Sequence, residues 1–204
     1  MSAFDADAFR KETGVSRETL DRLDAFDGLL RKWQPRINLV GPSTLAETWR
    51  RHFLDSAQLH PLLPEGTRVL VDLGSGAGFP GLVLAILGVP EVHLIESDAR
   101  KCAFLREAAR LCAAPVTIHN KRIEAVSGIA ADVVTARALA PVADLLAWAH
   151  PFIGGRGKAL FLKGAALDDE LTATTQYWTM RAERFDSRTD PTGTILRVSE
   201  LDRV

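Results

Sequence analysis

The run Asp72-Leu73-Gly74-Ser75-Gly76-Ala77-Gly78-Phe79-Pro80-Gly81 places an acid and alternating glycines directly after the apolar stretch Val69-Leu70-Val71. A strand, a glycine loop and a helix in that order form a cradle for an adenosine-containing cofactor, because glycines let the backbone approach a ligand and a helix N-terminus lies behind them. Gly74 and Gly76 are the expected points of approach, and Pro80, which has no N–H to offer, suits the first turn of the helix. Gly76, Gly78 and Gly81 also fit the G-x-G-x-x-G fingerprint of dinucleotide sites. A dinucleotide, however, would bring a pyrophosphate to this turn, where the Asp72 carboxylate opposes it. S-adenosylmethionine carries a sulfonium and an ammonium and no phosphate there, so Asp72 points to it as the cofactor. The competing reading of Asp72 is a carboxylate that serves only the turn and the helix dipole.

Glu96 ends the next apolar run, about twenty residues past the loop, where an acid accepts hydrogen bonds from ribose hydroxyls. Asp98 is the alternative acid but is better placed as a helix cap. Further on, Asn120-Lys121-Arg122-Ile123-Glu124 falls in the loop that faces the adenine in this architecture. Ile123 would cover the ring and Glu124 read its edge, or Glu124 simply opens a short helix. The fourth apolar run ends in Thr135-Ala136-Arg137-Ala138, at the carboxyl end of a strand, where ligands of open α/β sheets react. Methylases of exocyclic amines place Asn or Asp followed by Pro-Pro-aromatic there; this chain has Arg137. An arginine cannot act as a base at neutral pH, so the acceptor must need no deprotonation, and guanine nitrogen 7 meets that condition. Catalysis would then rest on aligning a lone pair with the methyl–sulfur bond, Arg137 helping to position it. The alternative for Arg137 is a structural ion pair.

These residues need a frame. Val69–Leu73, Val92–Glu96, Val116–His119, Asp132–Thr135 and Ala159–Lys163 read as strands, nearly continuously apolar as parallel strands covered on both faces should be. Helical spacing fits Pro80–Leu87, Asp98–Leu111 and Pro141–Ala149 between them. A helix at Leu167–Thr175 and extended segments at Met180–Phe185 and Thr194–Val198, joined by the turn Asp190-Pro191-Thr192-Gly193, complete the chain. The expected fold is α/β: a doubly wound, mostly parallel, seven-stranded sheet of Rossmann-like type with an N-terminal helical cap. The cap is expected over residues 1–64 and the cofactor-binding domain over 65–204, the two forming one compact unit. In the cap, Leu20, Leu23, Phe26, Leu29, Leu30 and Trp33 make one helical stripe that ends before Pro35. Thr44 and Glu47 suggest a capping box, followed by Leu45, Trp49, Phe53 and Ala57 on one helical face.

With 47% apolar and 25% charged residues among 204, and a net charge of −1, the chain reads as an ordinary globular protein and not a general polyanion binder. Local charge is less even: Arg31, Lys32, Arg36, Arg50 and Arg51 are set against the single acid Glu47 between positions 31 and 51. That segment is either a basic face for a polyanion or a solvated helix surface. No apolar run reaches the roughly 20 residues of a spanning helix and no signal-peptide pattern begins the chain, so the expected location is the cytoplasm. Cys102 and Cys112 fall about 15 Å apart on one helix and read as core residues. The five histidines lack ligand spacing, no metal is expected, and neither a strand-end cysteine nor a G-x-S-x-G elbow offers a nucleophile.

Arg51-His52-Phe53-Leu54-Asp55-Ser56, the glycine loop from Asp72 to Gly81, Arg137-Ala138 and Leu162-Lys163-Gly164, in this order and spacing, together resemble the RsmG (GidB) methyltransferases. The resemblance runs from about Asn38-Leu39 to Gly164. It implies a class I fold and methyl transfer from S-adenosylmethionine to guanine nitrogen 7 in the decoding region of 16S ribosomal RNA, and hence the small ribosomal subunit as partner. It also implies cofactor contacts at Gly74, Phe79, Ile123, Glu124 and Arg137, Phe79 standing where a leucine is often seen. By the same resemblance Arg51 and His52 face the RNA or the mouth of the site, with Lys163 opposite them. The competing functions are a class I methyltransferase for a small molecule or protein, and a non-catalytic protein that binds adenosine nucleotides.

Overall fold

The computed structural model describes residues 4–204. Two helices open the chain, α1 (Ala6–Thr13) and α2 (Arg17–Trp33), each started by a side chain that takes a free backbone amide: Asp5 accepts from Ala8 N and Ser16 from Thr19 N. Residues 42–54 depart from the expected regular helix. A 3-10 turn (Pro42–Glu47) leads into a π-helical turn (Trp49–Leu54) and a single α turn, α3 (Asp55–Ala57). The capping box does not form, because the Thr44 hydroxyl is engaged by Gly41 O and the His52 ring instead. The wider π turn lets Trp49, His52, Phe53 and Leu54 all turn inward.

The sheet then follows: β1 (Val69–Leu73), α4 (Gly81–Ile86), β2 (Glu91–Glu96), α5 (Ala99–Leu111), β3 (Val116–Asn120), β4 (Val133–Arg137), α6 (Val142–Ile153), β5 (Lys158–Lys163), α7 (Leu167–Thr172), β6 (Trp178–Asp186) and β7 (Thr194–Arg203). Strand order is β3-β2-β1-β4-β5-β7-β6, the first five parallel and β7 antiparallel to both its neighbours. Asp98 caps α5, as its position suggested, accepting from Arg100 N at 2.7 Å. α7 stops at Thr172, short of the expected Thr175, while α6 and β7 run furthest past their expected ends. α6 continues beyond Ala149 through Pro151 because Phe152 and Ile153 are still buried, and β7 continues beyond Val198 because Leu201 packs in the same core.

Register aligns the carboxyl ends of the parallel strands: Leu73 lies beside Ala136 and Ile95, and Arg137 beside Leu162. The order reverses between β1 and β4, which opens a crevice there. Because β7 runs antiparallel, with Lys163 beside Thr194, the turn between β6 and β7 reaches the same edge of the sheet.

Helices cover both faces. α6 and α7 pack on one, while α1, α2, α4 and α5 pack on the other in a single cluster that includes Phe9, Phe26, Phe53, Phe79 and Phe104. The cap and the sheet thus share one core. Phe26 is its joint: it stacks on Phe79 at 5.1 Å, meets Phe53 edge-on at 5.4 Å and lies 6.2 Å from Phe104. Phe26→Ala should lower unfolding free energy by about 3–5 kcal/mol in a denaturant titration, since the cavity left between cap and sheet has no side chain free to fill it.

Candidate active site

A cavity of about 830 Å³ opens at the carboxyl edge of the sheet, between the glycine loop, the ends of β2 to β5 and the cap. Gly74, Gly76, Phe79, Glu96, Ile123, Glu124, Arg137, Arg51, His52 and Lys163 all line it. Residues spread over more than a hundred positions are therefore brought to one place. Their bonding, however, separates those open to a ligand from those already committed.

Asp72 is the main correction. It does not line the cavity and is 0% exposed, lying between β1, β4 and the start of α4. Its Oδ1 accepts from the Thr135 hydroxyl at 2.7 Å, and Oδ2 has no hydrogen bond. Gly81 is needed above it, because a Cβ there would come within 2.6 Å of Asp72 Cβ. The carboxylate is thus engaged inside the sheet, tying β1 to β4, and does not face the cavity directly.

Glu96, the acid expected to meet the ribose, does face the cavity. Its carboxylate lies in the cavity wall, with Oε2 accepting from Gly76 N at 2.9 Å and Oε1 from Asp98 N at 2.7 Å. Ser75 N donates to Ile95 O and Gly78 N to Ser75 O, so the amides of residues 75, 76 and 78 are all occupied. A pyrophosphate needs such amides free. A cationic cofactor without phosphate does not, and its ribose and sulfonium find a carboxylate at hand, so the cradle suits S-adenosylmethionine. Gly74, at φ +61, keeps the loop open: a Cβ would sit 2.5 Å from the Leu139 side chain. The Ile123–Ala125 turn supplies Ile123 and Glu124 on the far wall, and Lys101, Lys121 and Arg122 line the cavity without an ion pair among the described residues.

At the end of β4, Arg137 is held in place from three sides. Its Nη1 donates to Asp55 Oδ2 at 3.2 Å and to Arg51 O at 3.1 Å, and its guanidinium lies 5.1 Å from the centre of the Phe79 ring. Burial lowers its pKa while the Asp55 carboxylate opposes that shift. The ion pair and the cavity position, offered by the sequence as alternatives, are both true of Arg137. Asp55 belongs to a sequence motif that gave it no role of its own. It also accepts from Thr189 Oγ1 at 2.6 Å and Gln58 Nε2 at 2.9 Å, while Arg51 pairs with Asp190 at 3.3 Å. Nothing in the spacing of residues 51, 55, 137, 189 and 190 signals this meeting; the turn signal at Asp190–Gly193 was its only trace.

The remaining expected contacts are less available than the sequence suggested. His52 is buried, stacks on Phe79 at 5.1 Å and shares a 2.8 Å hydrogen bond between Nε2 and the Thr44 hydroxyl, with Nδ1 unpartnered. Burial, with Arg137 and Arg51 nearby, drops its pKa to about 3, so it is neutral and a very weak base. Lys163 pairs with Glu170 Oε2 at 2.7 Å and donates to Ala140 O at 2.9 Å. Phe79 borders the cavity, yet most of its ring is enclosed by Phe26, Phe53 and His52.

Sequence and structure comparisons identify the family and the fold. The family described as GidB, rRNA small subunit methyltransferase G, matches residues 19–190. The chain is 63% identical over 199 residues, 98% of its own length and 92% of the other's, to the ribosomal RNA small subunit methyltransferase G of Rhodospirillum centenum. To the protein of the same name from Paramagnetospirillum magneticum it is 60% identical over 192 residues, 94% of each chain. Among solved structures, the ribosomal protein L11 methylase from Lactobacillus delbrueckii subsp. bulgaricus superposes with a TM-score of 0.60 at 15% identity, covering 71% of this chain and 76% of that one. TYW2 of M. jannaschii, solved with AdoMet, gives 0.54 at 16% identity over 74% and 77%. At such identities these two structures speak for the fold alone.

Burial pushes the Asp72 carboxyl up to about 6, against a weaker downward pull from Thr135, Ser75 and Gly81. A folded pKa above the unfolded one contributes stability that is complete below the unfolded value and disappears as pH rises through the folded value. Asp72→Asn carries no such dependence. Denaturant titrations from about pH 4 to about pH 7 should therefore show the variant gaining on the parent by on the order of 3 kcal/mol.

Proposed function

Because the chain belongs to the rRNA small subunit methyltransferase G (GidB) family, we propose that it methylates nitrogen 7 of a guanine in the decoding region of 16S ribosomal RNA, in the cytoplasm. It is an S-adenosylmethionine-dependent methyltransferase of class I fold. The cofactor supplies an electrophilic methyl group on a sulfonium; Gly74, Gly76, Glu96, Ile123 and Glu124 are the residues that would hold it. Among the described residues no helix is long and apolar enough to cross a membrane.

The observation that carries the nitrogen 7 assignment is the absence of a usable base where β4 ends. Arg137 is a cation, Asp55 and Asp190 are each committed to an arginine, and His52 is held too far below neutrality to take a proton. An exocyclic amine or a hydroxyl would need such a group; a ring nitrogen with a free lone pair does not. The Asp55–Arg137 pair has a second consequence. Methylation at nitrogen 7 leaves the base positively charged, and a guanidinium already neutralised by a carboxylate opposes that charge less than a bare one would. The chain's work is alignment: fixing the base so that its lone pair lies in line with the transferred group.

RNA contacts follow from which cations face the mouth of the cavity with side chains at least partly exposed. Lys163 and His52 act on the shape of the site, whereas Arg51, half-exposed at the mouth, and Lys101, Lys121 and Arg122 on the opposite wall can meet phosphates. With an overall charge of −1, affinity must come from a folded RNA or ribosomal particle that fits this mouth, not from polyanion attraction at large.

Mass mapping of 16S ribosomal RNA from cells with and without this chain should show one guanine losing a methyl group at nitrogen 7, and small subunits from the deficient cells should regain it on incubation with the protein and S-adenosylmethionine. Methylation of metabolites or proteins with none on the subunit would defeat the proposal. Gly74→Val should remove detectable calorimetric binding of S-adenosylmethionine while leaving the far-ultraviolet circular dichroism spectrum intact, since a branched side chain at φ +61 both strains the loop and fills the cradle.

A further inference from the structure

Leu139 stands out in the cavity wall. At 37% exposed it is among the few large apolar side chains open to solvent in the described residues, and it sits two residues beyond Arg137 at the carboxyl end of β4. Exposed apolar side chains on a surface are ordinary; one held over a reaction site is informative. Ala138 just before it adopts φ +49, a left-handed conformation that a residue with a side chain avoids unless its surroundings impose it. The surroundings are identifiable. Glu170 Oε2 accepts from Val142 N at 2.7 Å and from Lys163 Nζ at 2.7 Å, while the same Lys163 nitrogen donates to Ala140 O at 2.9 Å. One lysine–glutamate pair thus clamps the backbone on the far side of Leu139, and the β4 strand holds the near side. The side chain is directed onto Gly74, where a Cβ would lie 2.5 Å from Leu139 Cδ1.

We propose that Leu139 is the apolar surface against which the acceptor base packs, held at that place by the Lys163–Glu170 clamp. The inference rests on the ribosomal reading above and specifies how its substrate is gripped. In-line transfer to a ring nitrogen needs the plane of the base fixed, and hydrogen bonds at its edge leave rotation about them free. A side chain lying on its face removes that freedom. Polar groups at the end of β4 are poorly placed to do this, since Arg137 is turned toward Asp55 and the Arg51 carbonyl. An apolar surface also suits a base that becomes cationic, because it adds no like charge. Leu139 further borders Gly74, so it lies where the glycine loop and the mouth of the cavity meet, the place a donor and an acceptor must share. Lys163, expected from the sequence to touch RNA, acts instead through Ala140 as a positioning residue.

The test uses the full chain with small subunits isolated from cells lacking it. For Leu139→Ala we expect calorimetric affinity for S-adenosylmethionine within about twofold of the parent and kcat/KM for subunit methylation lower by about tenfold or more, the scale of one lost apolar side-chain contact. Leu139→Met, similar in volume and apolar, should recover most of that loss. Glu170→Gln should lower methylation with the same unchanged cofactor affinity. Loss of cofactor affinity in parallel with methylation in Leu139→Ala would overturn the proposal by making Leu139 a donor contact, and unchanged methylation would overturn it by making Leu139 mere cover for the loop. Failure of the unaltered chain to methylate the subunits at all would overturn the ribosomal reading, and this inference with it, and is distinguishable from both.

Discussion

The carboxylate of Asp55 holds the site together. It accepts hydrogen bonds from Arg137 at the end of β4, from Thr189 in the turn between β6 and β7, and from Gln58 one turn further along the cap. Each partner comes from a different part of the chain, so cap, central sheet and antiparallel pair are registered at one point. The pair is only slightly exposed, which makes its geometry well defined and costly to leave half-made. Arg137 in turn adds to the burial that keeps His52 neutral and rests on Phe79, the ring that joins the cap's aromatic core to the glycine loop. Electrostatics at the mouth and packing beneath it are thus fixed by the same few groups.

A second constraint acts through hydrogen bonds already made. The glycine loop has the shape of an anion cradle, but its amides at residues 75, 76 and 78 are spent on Ile95, on Glu96 and within the loop itself. The choice of cofactor therefore comes less from the presence of glycines than from what their N–H groups face. Asp72, which carried the same conclusion in the sequence, lies beneath the cavity and not in its wall, so the carboxylate that faces a ligand directly is Glu96. Asp72 ties β1 to β4 beneath the loop, and the missing side chain of Gly81 makes room for it.

Legibility in the sequence varied with the range of the interactions involved. The five parallel strands were placed to within one or two residues because burial on both faces leaves an apolar run that needs no partner to be recognised. The α5 cap and the end of α2 before Pro35 were legible for the same reason, being local backbone chemistry. The Thr44–Glu47 capping box failed because its hydroxyl had a better partner eight residues on, in the His52 ring. Helical spacing of Trp49 and Phe53 was real, but the π turn was imposed by aromatic neighbours, Phe9 against Trp49 and Phe26 against Phe53, that spacing does not encode.

By itself the sequence determined the doubly wound sheet, the position of the glycine loop at its crevice, many of the residues that line the cavity and the arginine, rather than a base, at the end of β4. All of these depend on residue type and on contacts short in sequence. Only the tertiary structure decided which of those residues are free to act. Lys163, Arg51 and His52 read alike as groups for RNA, yet one is clamped to Glu170, one pairs with Asp190 at the mouth and one is buried and neutral. Leu139 read as nothing until its loop set it over Gly74. The availability of a polar group is a property of its partners, and those partners lie tens of residues away along the chain, where no pattern in a single sequence reaches.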